Sequence, residues 1–446
     1  MPSSPRRRAT LPAWIARHPD PPRLARARWM LMGLFALNGI TFSSWLARLP
    51  AVRDALALTE AEIGGVLLFG AAGALVTVPF AGALCLRIGS AWAIRLGGIA
   101  FAVAYLLIGL GPALRSVPVL AAGLAVSGVA FAILNVPLNL ESARVERRLG
   151  RTVLPQFHAA FSIGAVGGSL LGAAAAALGV GLLVQFTGVA IASLVWRLAA
   201  VRHLLPPDAA PELDRVEVAV RSRRRSPGAA LGAWLEPRTL LLGVVVLAAA
   251  LSEGAANDWL SLGVVDAFGV TEASGALVFA AFVSAMTAVR LLGARAVDTY
   301  GRVPVLRASG AVALVGLVAF ALAPSLPLAV AGAIAWGSGA ALAVPLAVAA
   351  ASEDPLRAAG RVSVITSFSS FASLVAPPLL GLLAHDVGIR PALLTIAVPL
   401  ALALLVAGSV RQQRDDVAET GRTAVADAVP VRERVEAMPP ELEVRA

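Results

Sequence analysis

Long apolar stretches, fenced off by charged residues, organise this chain. Uncharged runs lie between Arg28 and Arg48, Glu62 and Arg87, Arg95 and Arg115, and Arg115 and Glu141. Each is long enough for one helical crossing of a bilayer, which takes about 20 residues. Between Arg151 and Arg197 lie 45 positions without a charge, His158 taken as neutral, and a Gly179-Val180-Gly181 break divides them into two crossings. A seventh stretch after Arg238 is interrupted by Glu253, and an eighth runs from Glu272 to about Val297 with Arg290 in its last part. Another 45 uncharged positions between Arg307 and Glu353 are divided by the turn signal Pro324-Ser325-Leu326-Pro327. Arg361 to Asp386 and Arg390 to Arg411 enclose the last two. The pattern predicts an all-α membrane protein of twelve transmembrane helices.

The two halves of the pattern repeat. Leu58-Thr59-Glu60-Ala61 before the second helix matches Val270-Thr271-Glu272-Ala273 before the eighth, and Gly89 matches Gly301 at the far ends of those helices, both 212 residues on. Val136-Pro137-Leu138 recurs as Val344-Pro345-Leu346, and Gly150-Arg151 as Gly360-Arg361. Six is an even number of crossings, so the second six-helix repeat enters the membrane in the same direction as the first, and the repeats are parallel. Thr59 and Glu62 also have the spacing of a capping box. The expected organisation is an unstructured cytoplasmic arm over 1–27, a six-helix half over 28–200, a linker over 201–238, a second half over 239–410 and an unstructured tail over 411–446.

Composition changes this picture little. With 58% hydrophobic and 14% charged residues and a mean hydropathy of +0.81, the chain has too few charges to clothe a water-soluble fold. Its net charge of +10 is explained by distribution. Only four of the 37 basic residues, all Arg, fall in loops on one side: Arg48, Arg53, Arg115 and Arg390. Basic residues accumulate in cytoplasmic loops, so both termini are expected in the cytoplasm of a bacterium, the protein lies in its cytoplasmic membrane, and no nucleic-acid partner is implied. The first 28 residues carry seven Arg and no apolar core, unlike a cleavable signal peptide. The lone Cys85 makes no intramolecular disulfide.

Two parallel six-helix halves around a polar linker resemble the major facilitator superfamily over roughly residues 28 to 411. That family carries a motif of glycines, an acid and basic residues after helix 2 and again after helix 8. Here the second copy is Asp298-Thr299-Tyr300-Gly301-Arg302 and the first is Gly82 to Gly89, with Arg87 retained and Leu86 in the acid's place. The resemblance implies a gating contact in which Asp298 and basic residues, Arg290 and Arg302 among them, link the halves. Trp45-Leu46-Ala47-Arg48-Leu49-Pro50-Ala51, Asn135-Val136-Pro137-Leu138-Asn139, Phe157-His158-Ala159-Ala160-Phe161-Ser162 and Glu253-Gly254-Ala255-Ala256-Asn257-Asp258-Trp259 are similar to the sugar-permease-like, fucose-permease-related branch.

Candidate chemistry lies where polar residues interrupt apolar runs. Glu253 sits about 14 residues into helix 7, roughly 21 Å at 1.5 Å per residue, inside the hydrocarbon. A buried carboxylate there either exchanges a proton during transport or bonds a neighbouring helix. Asn257 follows at i+4 on the same face, and Asp258 lies near the mouth as a second proton-coupling candidate or a boundary residue. Asn135 and Asn139, at i and i+4, share a depth with His158: they bind solute hydroxyls and relay protons, or they glue helices together. Asn38, Trp45 and Trp336 offer amides beside aromatic faces, which suits sugar-like ligands, although Trp is also enriched at membrane interfaces. Gly164, Gly168 and Gly172 repeat every four residues, a packing stripe.

No hydrolase nucleophile with its base, phosphate loop or metal constellation is apparent, so neither an enzyme nor a cofactor is expected. The leading expectation is proton-coupled transport of a small polar solute by rocking of the halves in the lipid bilayer. Proton-driven efflux of drug-like compounds is a second reading, weakened because helix 5 has Gly167-Gly168 where drug antiporters carry Gly-Pro. A membrane sensor or scaffold without transport is a third.

Overall fold

The computed structural model describes residues 21–150, 153–204, 232–354 and 357–412. The expected arm up to residue 20, most of the linker (205–231) and the tail from 413 lie outside the described residues. Helices α1 (Pro21–Leu46), α2 (Leu49–Leu56), α3 (Glu60–Ile88), α4 (Ser90–Ala113), α5 (Val117–Leu149), α6 (Leu154–Ala177) and α7 (Leu182–Val201) build the first half. The second comprises α8 (Pro237–Phe268), α9 (Glu272–Tyr300), α10 (Arg302–Leu322), α11 (Leu326–Ala340), α12 (Ala343–Ala351), α13 (Ala358–Val387), α14 (Ile389–Leu393) and α15 (Ala397–Leu405).

Among the described residues eleven helices are long and apolar enough to cross a membrane, with α11 and α12 forming one of them. The twelfth crossing, Ile389–Leu405, is shorter and broken by a 3-10 turn at Leu394–Ile396. Pro391 and Pro399 remove helical N–H donors on either side of that turn. Large apolar side chains such as Val76, Val78, Phe80 and Leu405 are left exposed on the outside, as suits a solvent of lipid tails. Helix α1 starts at Pro21, ahead of the boundary expected at residue 28.

Local sequence sets the helix ends. Thr59 caps α3 as a full box: Thr59 Oγ1 accepts from the Glu62 N–H at 3.3 Å and the Glu62 carboxylate accepts from the Thr59 N–H at 2.9 Å. At the matching Thr271 the hydroxyl accepts from the Ser274 N–H, and Ser274 in place of the glutamate leaves half a box. Gly89 and Gly301, the repeated glycines, end α3 and α9 at φ of 79° and 82°, a backbone that disfavours any side chain.

Among the described residues, one face, where α1 begins, holds most of the arginines; the opposite face holds Arg48, Arg53, Arg115 and Arg390. On the Arg-poor face the halves meet closely. A Cβ on Gly64 of α3 would fall less than 3.0 Å from the Pro377 carbonyl of α13, and one on Gly381 would lie 2.5 Å from the Glu60 carbonyl. Glycines are therefore what lets α3 and α13 touch there. Inside the first half, Gly164 and Gly168 of α6 press on the Ala36 and Ile40 carbonyls of α1, and Gly172 on Ala47, the packing expected of that stripe.

Candidate functional site

A cavity opens between the halves. Helical spacing aims its walls. On α8, Glu253 and Asn257 sit one turn apart; on α9, Val283, Met286, Thr287 and Arg290 follow i, i+3, i+4, i+7; α1 supplies Phe42 and Ser43, and α6 supplies Phe161, Ser162 and Ala165. Arg290 Nη2 donates to Glu253 Oε2 at 2.7 Å, with 27% of each side chain exposed. Its Nε donates to the Ala341 carbonyl at 3.3 Å. That carbonyl is available because Pro345, four residues on, has no N–H to give it, and the tenth crossing breaks into α11 and α12 at this point.

Around the ion pair lie polar atoms without partners. The Thr287 hydroxyl is buried, 6% exposed, and unbonded. Ser43 and Ser162, at 1% and 8% exposure, also turn toward the cavity. A second void inside the second half is apolar apart from Ser252 and is lined by no titratable group.

Several expected site residues lie elsewhere. Asn38 is buried and accepts from Arg197 Nη2 at 2.7 Å. That guanidinium is 1% exposed, also donates to Ser193 and stacks 4.9 Å over Phe101, so Asn38 serves the core of the first half rather than the cavity. Trp336 is fully buried. Its ring meets Phe282 edge-on at 5.4 Å and its Nε1 donates to Ser252 at 2.7 Å, which fixes the residue before Glu253. Trp45 is buried at the Arg-poor end of α1. Asn139 donates to the Asn135 carbonyl at 2.8 Å and to its side chain, so this pair bonds within α5. His158 is exposed, with its ring edge-on to Phe35 at 5.6 Å. Asp258 is half-buried and has no hydrogen bond or ion pair among the described residues.

Of the residues expected in the gating contact, Arg290 stands apart from the rest. Arg290 belongs to the cavity, eight residues short of Asp298, and its carboxylate partner is Glu253. Arg302 pairs with Glu353, which also accepts from Arg238 at 2.8 Å. Asp298 and Arg87 are exposed, and Gly82 faces open space.

The cross-half contacts that sequence reading missed are on the Arg-poor face. Arg48, 5% exposed, donates to Glu272 at 2.6 Å, to Gln185 at 2.7 Å and to the Val180 carbonyl. Arg53 grips Asp266 with two bonds, at 2.5 and 2.7 Å. Donation to the Asp266 carboxylate, with that carboxylate's charge, outweighs burial and holds the Arg53 guanidinium above its ordinary pKa. Arg390 binds the Phe320 and Ala323 carbonyls. Three of the four arginines that break the charge bias are therefore engaged, and that breach was the available signal.

Twelve membrane-crossing helices in two parallel repeats, with a polar cavity between them, define a membrane transporter. The profile of the Major Facilitator Superfamily matches residues 242–438. An uncharacterised transporter, y4wD, of Sinorhizobium fredii is 31% identical over 380 residues, covering 85% of this chain and 96% of its own. A bacterial homologue of the human lysosomal transporter Spinster, solved inward-facing and occupied, superposes with a TM-score of 0.70 at 15% identity, over 88% of this chain and 97% of that one. The nucleoside transporter NupG superposes with 0.68 at 14% identity, over 87% and 100%. The chain belongs to the Major Facilitator Superfamily.

Proposed function

We propose that the protein is a proton-coupled secondary transporter of a small polar, hydroxyl-bearing solute, working by rocking of its halves, 28–200 and 239–410, about the cavity. The single observation that carries this reading is the Glu253–Arg290 pair on the wall between the repeats. A carboxylate held by one salt bridge inside the hydrocarbon changes its protonation only if the guanidinium is compensated, so protonation and cavity contents are linked. Asn257, Thr287, Ser43 and Ser162 supply hydrogen bonds for the solute, and Phe42 and Phe161 an apolar wall. The likeness to a nucleoside transporter agrees with a polar solute. Unpartnered Asp258 is a second proton-carrying candidate; His158 is a third.

The Arg distribution supports a bacterial cytoplasmic membrane, both termini in the cytoplasm, and the Arg-poor face outside. With that orientation the Arg48–Glu272 and Arg53–Asp266 pairs act as the outer gate. Asp298, Gly301 and Arg302 then belong to the inner gate, engaged when the halves rock to the other side. Full-length protein in proteoliposomes under an imposed pH gradient tests the coupling. Glu253→Gln is expected to abolish gradient-driven solute accumulation, and accumulation equal to wild type removes Glu253 from the coupling step.

A further inference from the structure

The way Glu253 is held says something about the charge of the solute, on the footing of the proton-coupled reading above. Glu253 and Arg290 are the charged side chains that line the cavity, and α1 and α6 face them with Phe42, Ser43, Phe161 and Ser162, none of which titrates. Off the lining, α8 carries Asp258 five residues on, and α6 carries His158 one turn before Ser162. Helices α11, α12 and α15, which also pack on α8, have no charged residue, and α13 has none between Arg361 and His385. The remaining charged groups of α2, α9 and α14 sit toward the membrane faces: Arg53 and Glu272 in ion pairs there, Asp54 beside Arg53, Arg295 and Asp298 near the end of α9, and Arg390 on backbone carbonyls.

In the paired state the two cavity charges cancel. Protonation of Glu253 removes the carboxylate and leaves the Arg290 guanidinium facing hydroxyls, an amide and hydrocarbon, with the Ala341 carbonyl as its one charge-free acceptor. A cation left without a counter-ion in that partly buried setting is unfavourable. A neutral sugar leaves it uncompensated, whereas a carboxylate restores the balance and matches the guanidinium fork. Unbonded Thr287 Oγ1, with Ser43, Ser162 and Asn257 beside it, is placed for hydroxyl groups.

We propose that the transported solute is a hydroxylated monocarboxylate of the sugar-acid type, whose carboxylate replaces that of Glu253 on Arg290 while Glu253 takes up a proton. The charges balance: Glu253 passes from carboxylate to carboxyl, Arg290 exchanges one carboxylate for another, and the cavity stays neutral. One proton and one anion cross together, so no net charge moves.

Gluconate and glucuronate are the probes, with sorbitol and glucose as their uncharged counterparts. Calorimetric titration of the full-length protein in two buffers of different ionisation enthalpy is expected to show one proton taken up per acid bound, and this measurement needs no variant. In Glu253→Gln, which mimics the carboxyl form, proton uptake and the pH dependence of binding disappear. Arg290→Gln weakens acid binding by about tenfold or more, the loss of a charge-assisted bond. In proteoliposomes, accumulation of the acids follows the pH gradient and is indifferent to a potassium–valinomycin potential of either sign. Uptake that responds to that potential, or acid binding without a proton, overturns the proposal. Glu253-dependent accumulation of glucose or sorbitol, but not of the acids, overturns it and leaves proton coupling intact. Binding of none of the four removes the substrate class. Gradient-driven accumulation of the acids that survives Glu253→Gln removes the coupling reading, and this proposal with it.

Discussion

Arg197 and Arg290 are both arginines inside the membrane, and their surroundings give them different work. Arg290 has a carboxylate and partial exposure; Arg197 is sealed in, with an amide, a hydroxyl and an aromatic face in place of a counter-ion. Asn38→Ala strands the Arg197 guanidinium with one fewer acceptor. The expected loss is about 1.5–3 kcal/mol of stability, the usual range for a hydrogen bond to a charged group, read as a lower melting temperature of the purified protein. A solute-binding role for Asn38 would instead lower solute affinity and leave the melting temperature unchanged. Asn38 and Trp336 were misplaced by sequence reading for a shared physical reason. Helices that are apolar all round have no polar stripe to show which side meets a cavity, so the rotation of α1 and α11 was not written in their sequences. Glu253 and Asn257 were legible because a carboxylate in a long apolar run stands out without knowing the rotation. Its partner was not: Arg290 lies 37 residues away on another helix, and only packing brings them together.

At the scale of elements, the crossings and their repeat were legible because charge is excluded from hydrocarbon, and so were the Thr59 capping box and the glycine stripe of α6. The break of the tenth crossing was not, since its counterpart Pro137 sits inside an unbroken α5. The start of α8 carries a testable electrostatic contact. Glu236, just before it, accepts from Arg361 at 2.6 Å and from the Thr239 hydroxyl at 2.9 Å. Burial works against the Glu236 carboxylate, but the Arg361 and Thr239 bonds and the charges of Arg361 and Arg357 prevail and hold its pKa below the usual value. A carboxylate depressed in the folded state stabilises above its ordinary pKa and loses that contribution as pH falls through the depressed one. Glu236→Gln is therefore expected to lower the melting temperature at pH 7, with the gap to wild type closing below about pH 4.

For the whole molecule, closure of the Arg-poor face combines glycine contact between α3 and α13 with two ion pairs between the halves. Gly64→Leu puts a side chain where the Pro377 carbonyl lies and is expected to hold that face apart. The natural Cys85 is the sole cysteine and is buried, so Phe42→Cys, at a cavity-wall position that is 36% exposed, serves as a reporter. In the otherwise unaltered chain it reacts with a membrane-impermeant maleimide from the Arg-rich face alone; with Gly64→Leu added it reacts from both. Equal labelling from the Arg-poor face with and without Gly64→Leu would mean that the α3–α13 contact does not control access.

The Pro345 break has a mechanical meaning. Helix α12 is a strut of nine residues, about 14 Å at 1.5 Å per residue. At one end the Ala341 carbonyl is tied to Arg290, and just past the other Glu353 clamps Arg238 and Arg302. A displacement of Arg290 at the cavity is thus delivered to the Arg-rich surface by a rigid rod hinged at its cavity end. Were the break healed into continuous helix, the same push would be spread along the whole crossing and arrive blunted.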